Sequence, residues 1–342
     1  MFHNGTPIAP QLDAIPARKS SLNNLPESLR RWLLPAYPHA MRGLSNTLAH
    51  DHAQQPIDLL FSTSSIAAKA IRTPFGVPHI CYCHTPARYL WSQTNQYTRG
   101  GAKGKLRAAG LALFRNRLRA WDATTSQHVT GFIANSTHTR DLIRDAYDRD
   151  AVVIHPPART DFFTPDPATP RDGSLLVVSA LEPYKRVDLA IEIASAASRP
   201  LTIIGTGSHD RALRDLAEHQ TGAKITFLGH TDDETVRDHY RRASAFLMPQ
   251  TEDFGITAIE AQACGTPVIA RAAGGALDSV IPGQTGLLID SECSEHWASA
   301  INGTPLDLAD SCRTNAERFA PERFRKAIRA IAAETSPAQP DQ

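Results

Sequence analysis

From Ala245-Phe-Leu-Met-Pro-Gln-Thr-Glu-Asp-Phe-Gly-Ile-Thr-Ala-Ile-Glu-Ala-Gln-Ala-Cys-Gly-Thr-Pro-Val-Ile-Ala270 the chain reads as strand, loop, helix, turn and strand. The apolar run Ala245–Met248 is closed by Pro249, and Gly255 breaks the chain before a helix that starts near Gly255-Ile256 and runs to about Cys264. Gly265-Thr-Pro then turns into a second apolar run, Pro267-Val-Ile-Ala270. Two short strands joined through one helix run parallel. The same alternation continues on both sides: Leu175–Ser179, Leu201–Ile204 and Lys224–Leu228 precede it and Gly286–Ile289 follows, giving six strand candidates. This pattern predicts a doubly wound α/β sheet, whose ligands lie at the carboxyl ends of the strands.

Further upstream, Ile57–Ser62, His79–Cys83 and Phe132–Ala134, the last followed by a helix from Thr137, predict a second set of parallel β/α units. Between the two sets, residues 155–172 are too rich in proline for either element and read as a linker. The first 55 residues carry six prolines and one amphipathic segment, Leu29 to Met41. The domain reading is therefore 1–165, shortened at its front, then 166–320. A C-terminal piece, 321–342, holds a helix over about Pro321 to Ala333 and a frayed tail after Thr335.

With 342 residues and 42% apolar content, the chain can bury two cores of ordinary size. Lys+Arg 36 against Asp+Glu 35 leaves a net charge of +1, which argues against nucleic-acid binding. Five cysteines without a repeated CxxC pair fit neither a disulfide framework nor a zinc ribbon, and Cys81, Cys83 and His84 lack a fourth ligand at zinc-like spacing. No apolar stretch approaches the roughly 20 residues of a spanning helix. The expectation is a cytoplasmic protein.

The carboxylates Glu252 and Glu260 flank the helix start. Free amides at Phe254, Gly255 and Ile256 suit phosphate oxygens, and Glu260, one turn in, suits a vicinal diol such as ribose. A helix start with favourable acidic residues explains the same letters. More polar groups stand after other strands: Leu181-Glu-Pro-Tyr-Lys185-Arg186-Val-Asp188, Ile204-Gly205-Thr-Gly207, Tyr82-Cys83-His84-Thr85-Pro86 and Asn135-Ser136. Gly274-Gly275 and Gly283–Ile289 form close turns. Asp232-Asp233 reads as a helix N-terminus rather than a metal site, and Ser136 could equally cap the helix behind it.

Together these residues resemble the donor-binding domain of the retaining family 4 glycosyltransferases of the GT-B fold, two Rossmann-like domains facing a cleft, and most closely its nucleoside-diphosphate-mannose mannosyltransferase branch. The resemblance covers roughly residues 55 to 320. It implies that Glu260 holds the ribose, that Glu252 contacts sugar hydroxyls, that His84 stands at the donor sugar, and that Asn135 and Ser136 line the cleft. It implies donor contacts by Gly205 and Arg186 as well. Without a DxD motif, the cation facing the leaving diphosphate would be Lys185, with no metal and no cofactor beyond the donor, GDP-mannose. The implied acceptor is a glycan or lipid-linked glycan in cell-surface polysaccharide synthesis.

Two positions depart from the family. The arginine expected in the loop after the first donor-domain strand is Ala180, for which Arg186 is the candidate substitute. The apolar strand and Gly-Gly loop expected at the front have no counterpart in residues 1–55. Either an active transferase or a nucleotide-sugar-binding protein without turnover fits such a sequence; a UDP-sugar donor is the other alternative. Residues 99–121 hold seven basic side chains and no acid, from Arg99 to Arg119, which suits peripheral contact with an anionic membrane or the solvated face of a core helix.

Overall fold

A computed structural model of the protein describes residues 18–26, 33–64, 67–91 and 101–335, with side chains for all of these except 23–24 and 101–112. The chain divides into two compact units. One comprises Met1–Asn135, Thr139–Val153 and Arg329–Gln342; the other comprises Ser136–His138 and Ile154–Ile328.

The first unit contains α1 (Tyr37–Gln54), β1 (Leu60–Ser64), β2 (His79–Cys83), α2 (Gly101–Ser126), β3 (Gly131–Ala134), most of α3 (Thr137–Tyr147) and β4 (Ala151–Val153). Its four strands lie in sequence order and are all parallel. The first strand begins later than its apolar run suggests. The Ile57 amide is taken by the His52 ring at 2.9 Å in the turn off α1, and the ladder opens only where Leu60 donates to the Pro78 carbonyl at 3.0 Å. Helix α1 corrects the expected segment Leu29–Met41, of which 29–32 lie outside the described residues. Pro38 falls in the first turn, where a missing amide costs nothing, and the helix then runs through polar residues that read as loop. Among the described residues no strand precedes Leu60, and most of the front segment that lacks the family's strand lies outside them. Strand β4 was not evident in the sequence: three residues with Val152 exposed carry almost no apolar signal.

This unit has a polar core. Lys69 and Asp122, 2% and 1% exposed, form an ion pair of 2.7 Å, and the Lys69 ammonium also donates to the Asp122 carbonyl at 2.8 Å. The other Asp122 oxygen accepts from Trp91 Nε1 at 2.8 Å and from the Tyr147 hydroxyl at 2.9 Å. Both charges are thus paired and hydrogen-bonded, as burial demands. Nearby, burial and the Lys69 charge push His79 down to about 4. Of the basic segment, residues 99–100 lie outside the described residues; within α2, Leu118 is buried, Arg115 donates to the Leu90 carbonyl at 3.4 Å and Arg119 lies 4.3 Å over the Trp91 ring. At least those two arginines serve contacts inside the unit.

The second unit contains β5 (Leu175–Val178), α4 (Val187–Ala197), β6 (Leu201–Ile204), α5 (Asp210–Glu218), β7 (Ile225–Gly229), α6 (Asp233–Arg242), β8 (Ala245–Met248), α7 (Ile256–Ala263), β9 (Val268–Arg271), α8 (Ala276–Ser279), β10 (Gly286–Ile289), α9 (Ser294–Gly303), α10 (Ala309–Ala316) and most of α11 (Pro321–Thr335). All six expected strands are present, displaced by no more than one residue. They form one parallel sheet in the order β10-β9-β8-β5-β6-β7. Alternate residues serve opposite faces: Leu175, Val177, Leu247 and Ile269 pack with Leu189, Ile191 and Trp297, whereas Leu176, Phe246, Met248 and Val268 pack with Tyr240, Ala258 and Ile259. Burial on both faces is why these strands are continuous apolar runs rather than alternating ones. The strand order reverses between β5 and β8, so the loops leaving those two strands diverge and open a crevice at their carboxyl ends. Among the described residues no helix is long and apolar enough to cross a membrane.

Candidate active site

The loops on either side of that switch point carry Lys185 and Glu252. Lys185 ends the 3-10 turn Pro183–Lys185 after β5, and Glu252 lies in the loop between β8 and α7. The Lys185 ammonium donates to Glu252 Oε1, and Gln250 Nε2 donates to the same oxygen at 2.9 Å. The Lys185 and Glu252 side chains are 18% and 14% exposed, enough to be reached yet shielded enough for charge to matter.

The Glu252 loop is held from two sides. Gly275 donates its amide to the Glu252 carbonyl at 2.8 Å, and its Cα lies so near the Phe254 backbone that any Cβ there would overlap Phe254 Cα. Phe254 is buried, its ring stacked on His155 with centroids 5.3 Å apart and packed against Phe319 at 5.5 Å. Its side chain therefore belongs to the core, and only its backbone is available to a ligand. Gly255 is the N-cap of α7 and Ile256 its first residue, 42% exposed, as the sequence predicts. The first amides of such a helix have no intrahelical acceptor.

Glu260 sits one turn into α7, with the Tyr240 hydroxyl 3.4 Å from its Oε2. Burial raises its carboxyl to about 7; the Arg159 charge and the Tyr240 hydroxyl oppose the shift, and Asp233 adds to it. Arg159 is itself paired with Asp233 at 2.9 Å. Asp232 caps α6 by accepting from the Thr235 amide at 2.8 Å, as expected of a helix N-terminus.

Gly205 follows β6 with φ of 137° and donates to the Gly229 carbonyl at 2.8 Å. A side chain there would collide with the Ser179 carbonyl, so this glycine sets how closely the β5 and β6 loops approach. The same loops are tied by Leu181 donating to the Thr206 carbonyl at 2.9 Å and by Ser208 donating its amide to Glu182 at 3.1 Å. Arg186, in the left-handed region with φ of 51°, turns to Glu292 and to Asp188, while Arg271 pairs with Glu292 as well. Ala180 is exposed, with no cation from Arg186 directed to it in these contacts.

In the first unit, His84 is exposed just after β2. Its Nε2 shares a hydrogen bond of 2.8 Å with Thr63 Oγ1, and its carbonyl accepts from Asn135 Nδ2 at 2.9 Å and Thr139 Oγ1 at 3.3 Å. Asn135 thus fixes the backbone of His84. Ser136 is fully buried, at 0% exposure.

The structure brings together Lys185 with Glu252 and His84 with Asn135, and it directs Arg186 elsewhere. Gln250, Tyr240 and Glu292 went unread in the sequence. Gln250 had a readable signal, a polar residue two positions after a buried strand and two before the key carboxylate; Tyr240 and Glu292 reach the site only through folding. Among the described residues no three His, Cys, Asp or Glu side chains converge.

Two family models match the chain: Glycosyltransferase Family 4 over residues 6–162 and Glycosyl transferases group 1 over residues 160–318. The first extends the likeness well ahead of residue 55, where sequence reading began it. Curated relatives include the D-inositol 3-phosphate glycosyltransferases of Gordonia bronchialis, 33% identical over 55% of this chain and 48% of the relative, and of Mycobacteroides abscessus, 33% identical over 49% and 43%. The matches thus span about half of those relatives or less. Similar solved structures include sucrose-phosphate synthase from Thermosynechococcus elongatus, with a TM-score of 0.70, 20% identity and coverage of 93% of this chain and 82% of that one. Anabaena HepE in complex with UDP follows at 0.65, 18%, 86% and 82%. Two parallel-sheet α/β units, an ordered match to both family models and these neighbours agree: residues 6–318 are a glycosyltransferase family 4 domain followed by a group 1 domain, on the GT-B fold.

Proposed function

We propose that the protein is a retaining glycosyltransferase that moves a hexose from a nucleoside diphosphate sugar to a hydroxyl acceptor. The observation that carries this is the Lys185–Glu252 pair at the switch point of the second sheet, beside a helix start and one turn from a buried carboxylate. Each part has a task in such a transfer. The amides at Gly255 and Ile256 and the Lys185 ammonium face a diphosphate, stabilising the charge that develops as it leaves. Glu260 accepts from the ribose diol and Glu252 from the sugar hydroxyls. No second carboxylate stands next to Glu252 as a nucleophile, and a leaving diphosphate held by Lys185 can itself accept the acceptor proton on the face from which it departs. His84, fixed through Asn135, is assigned to the donor sugar.

GDP-mannose is the donor implied by the sequence resemblance. A UDP-sugar is the second reading, favoured by the UDP in the HepE and GtfA structures among the neighbours. The acceptor is a glycan or lipid-linked glycan; the named activity of the curated relatives adds inositol phosphate as an acceptor to test. Peripheral contact with an anionic membrane through 99–121 is part of the same proposal, supported by Leu113, 76% exposed on α2. Release of nucleoside diphosphate from GDP-mannose and UDP-glucose, with and without acceptor, tests the function. Turnover lost in Glu252→Ala with the fold intact supports it, and turnover unchanged in that variant removes Glu252 from the site. Binding without turnover of either donor returns the chain to a nucleotide-sugar-binding role.

A further inference from the structure

We infer that Gln250 is a positioning residue that fixes the Glu252 carboxylate and thereby sets how the site discriminates among donor sugars; this rests on the transferase reading above. Oxygen Oε1 of Glu252 receives two donors, Lys185 Nζ and Gln250 Nε2. Oε2 has no printed partner, so it is the oxygen left to accept from a sugar hydroxyl. The two donors differ in kind. Lys185 is a mobile point charge on a flexible stem, and a diphosphate arriving at the crevice competes for it with Glu252. Gln250 is neutral and 7% exposed, anchored directly after β8 in a loop whose backbone Gly275 holds. It is not drawn to phosphate.

When the diphosphate takes Lys185, Gln250 keeps its hold on Oε1 and the carboxylate plane stays fixed. Without it the carboxylate rotates about its terminal torsion, which is broad and has little barrier of its own. An acceptor that can rotate accepts equally from hydroxyls in different places, so epimeric donors are told apart less well. Gln250 therefore acts through Glu252 and only on the sugar half of the donor.

The test compares wild type, Gln250→Ala, Glu252→Ala and the double variant by calorimetric titration with GDP, GDP-mannose, UDP and UDP-glucose. The matched nucleoside diphosphate binds wild type and Gln250→Ala within twofold, because it lacks the sugar. The nucleotide sugar binds Gln250→Ala about tenfold more weakly, the discrimination between GDP-mannose and GDP-glucose, or between UDP-glucose and UDP-galactose, falls by a similar factor, and the double variant is no worse than Glu252→Ala alone. Equal loss of nucleoside diphosphate affinity, or additive loss in the double variant, shows Gln250 to be a packing residue and overturns the inference while leaving the transferase reading in place. If wild type binds none of the four ligands, both fall.

Discussion

Lys185 and Glu252 lie 67 positions apart in the sequence and meet as an ion pair across the point where the strand order of the second sheet reverses. The pair is partly shielded, and each member has another task in the transfer: Lys185 toward the diphosphate, Glu252 toward the sugar. Glu252→Gln keeps the shape and removes the charge. We expect it to lower kcat by about a hundredfold or more, the scale found for removing one group that stabilises developing charge. Lys185→Ala should weaken binding of the nucleoside diphosphate itself, which Glu252→Gln should not. Steady-state kinetics and diphosphate titration separate the two.

Glu260 makes donor binding depend on pH. Its carboxyl stands at about 7 in the empty protein because burial disfavours the charge. Hydroxyls of a ribose donate to the ionised form, so at lower pH binding must first remove a proton. Affinity for a nucleotide sugar, whose diphosphate has no group titrating near neutrality, is expected to be about tenfold higher at pH 8 than at pH 6. Glu260→Gln should flatten the profile. Stability of the empty protein runs the other way: a raised carboxyl favours folding below its ordinary value of 4.5, and that stabilisation is lost as pH rises through about 7.

Gly275 supports the Glu252 loop from behind. Gly275→Ala places a methyl group inside the Phe254 backbone, so the loop that carries Glu252 must move. Shifts of this kind far from the chemistry cost about a hundredfold in rate. The variant should remain folded by circular dichroism while turnover drops on that scale; turnover within twofold of wild type would show that the loop position is not critical.

The buried pair in the first unit is a stability matter. Asp122→Ala leaves the Lys69 ammonium, 2% exposed, without its counter-charge and strands the Trp91 and Tyr147 donors. The expected destabilisation is about 3–5 kcal/mol. Replacing both charges, Lys69→Met with Asp122→Leu, should recover part of it. Urea unfolding followed through Trp91 fluorescence reads both.

The second unit was legible in the sequence because its strands are buried on both faces. Runs such as Leu175–Val178 and Ala245–Met248 are apolar throughout and end at Ser179 and Pro249, so even their boundaries could be read to within one residue. The first unit was less legible. Helix α1 is largely polar beyond Met41, with only Tyr37, Ala40 and Met41 buried, and β4 has three residues, so neither carries periodicity. For the site, residues that follow a strand or open a helix could be found by position alone: Lys185, Glu252, Gly255 and Glu260. Their partners could not. Tyr240 reaches Glu260 across α6 and α7, and Glu292 captures Arg186 from 106 residues away, contacts that exist only once the sheet is assembled.

The most direct test of the central claim, that the switch point of the second sheet is a nucleotide-sugar site, is calorimetric titration of the purified protein with GDP and UDP, beside Glu260→Ala. The account predicts binding of one nucleotide that weakens about tenfold or more in the variant, about 1.4 kcal/mol for loss of the ribose contact to a charged group. Absence of binding to either nucleotide, or binding that Glu260→Ala leaves unchanged, would contradict it.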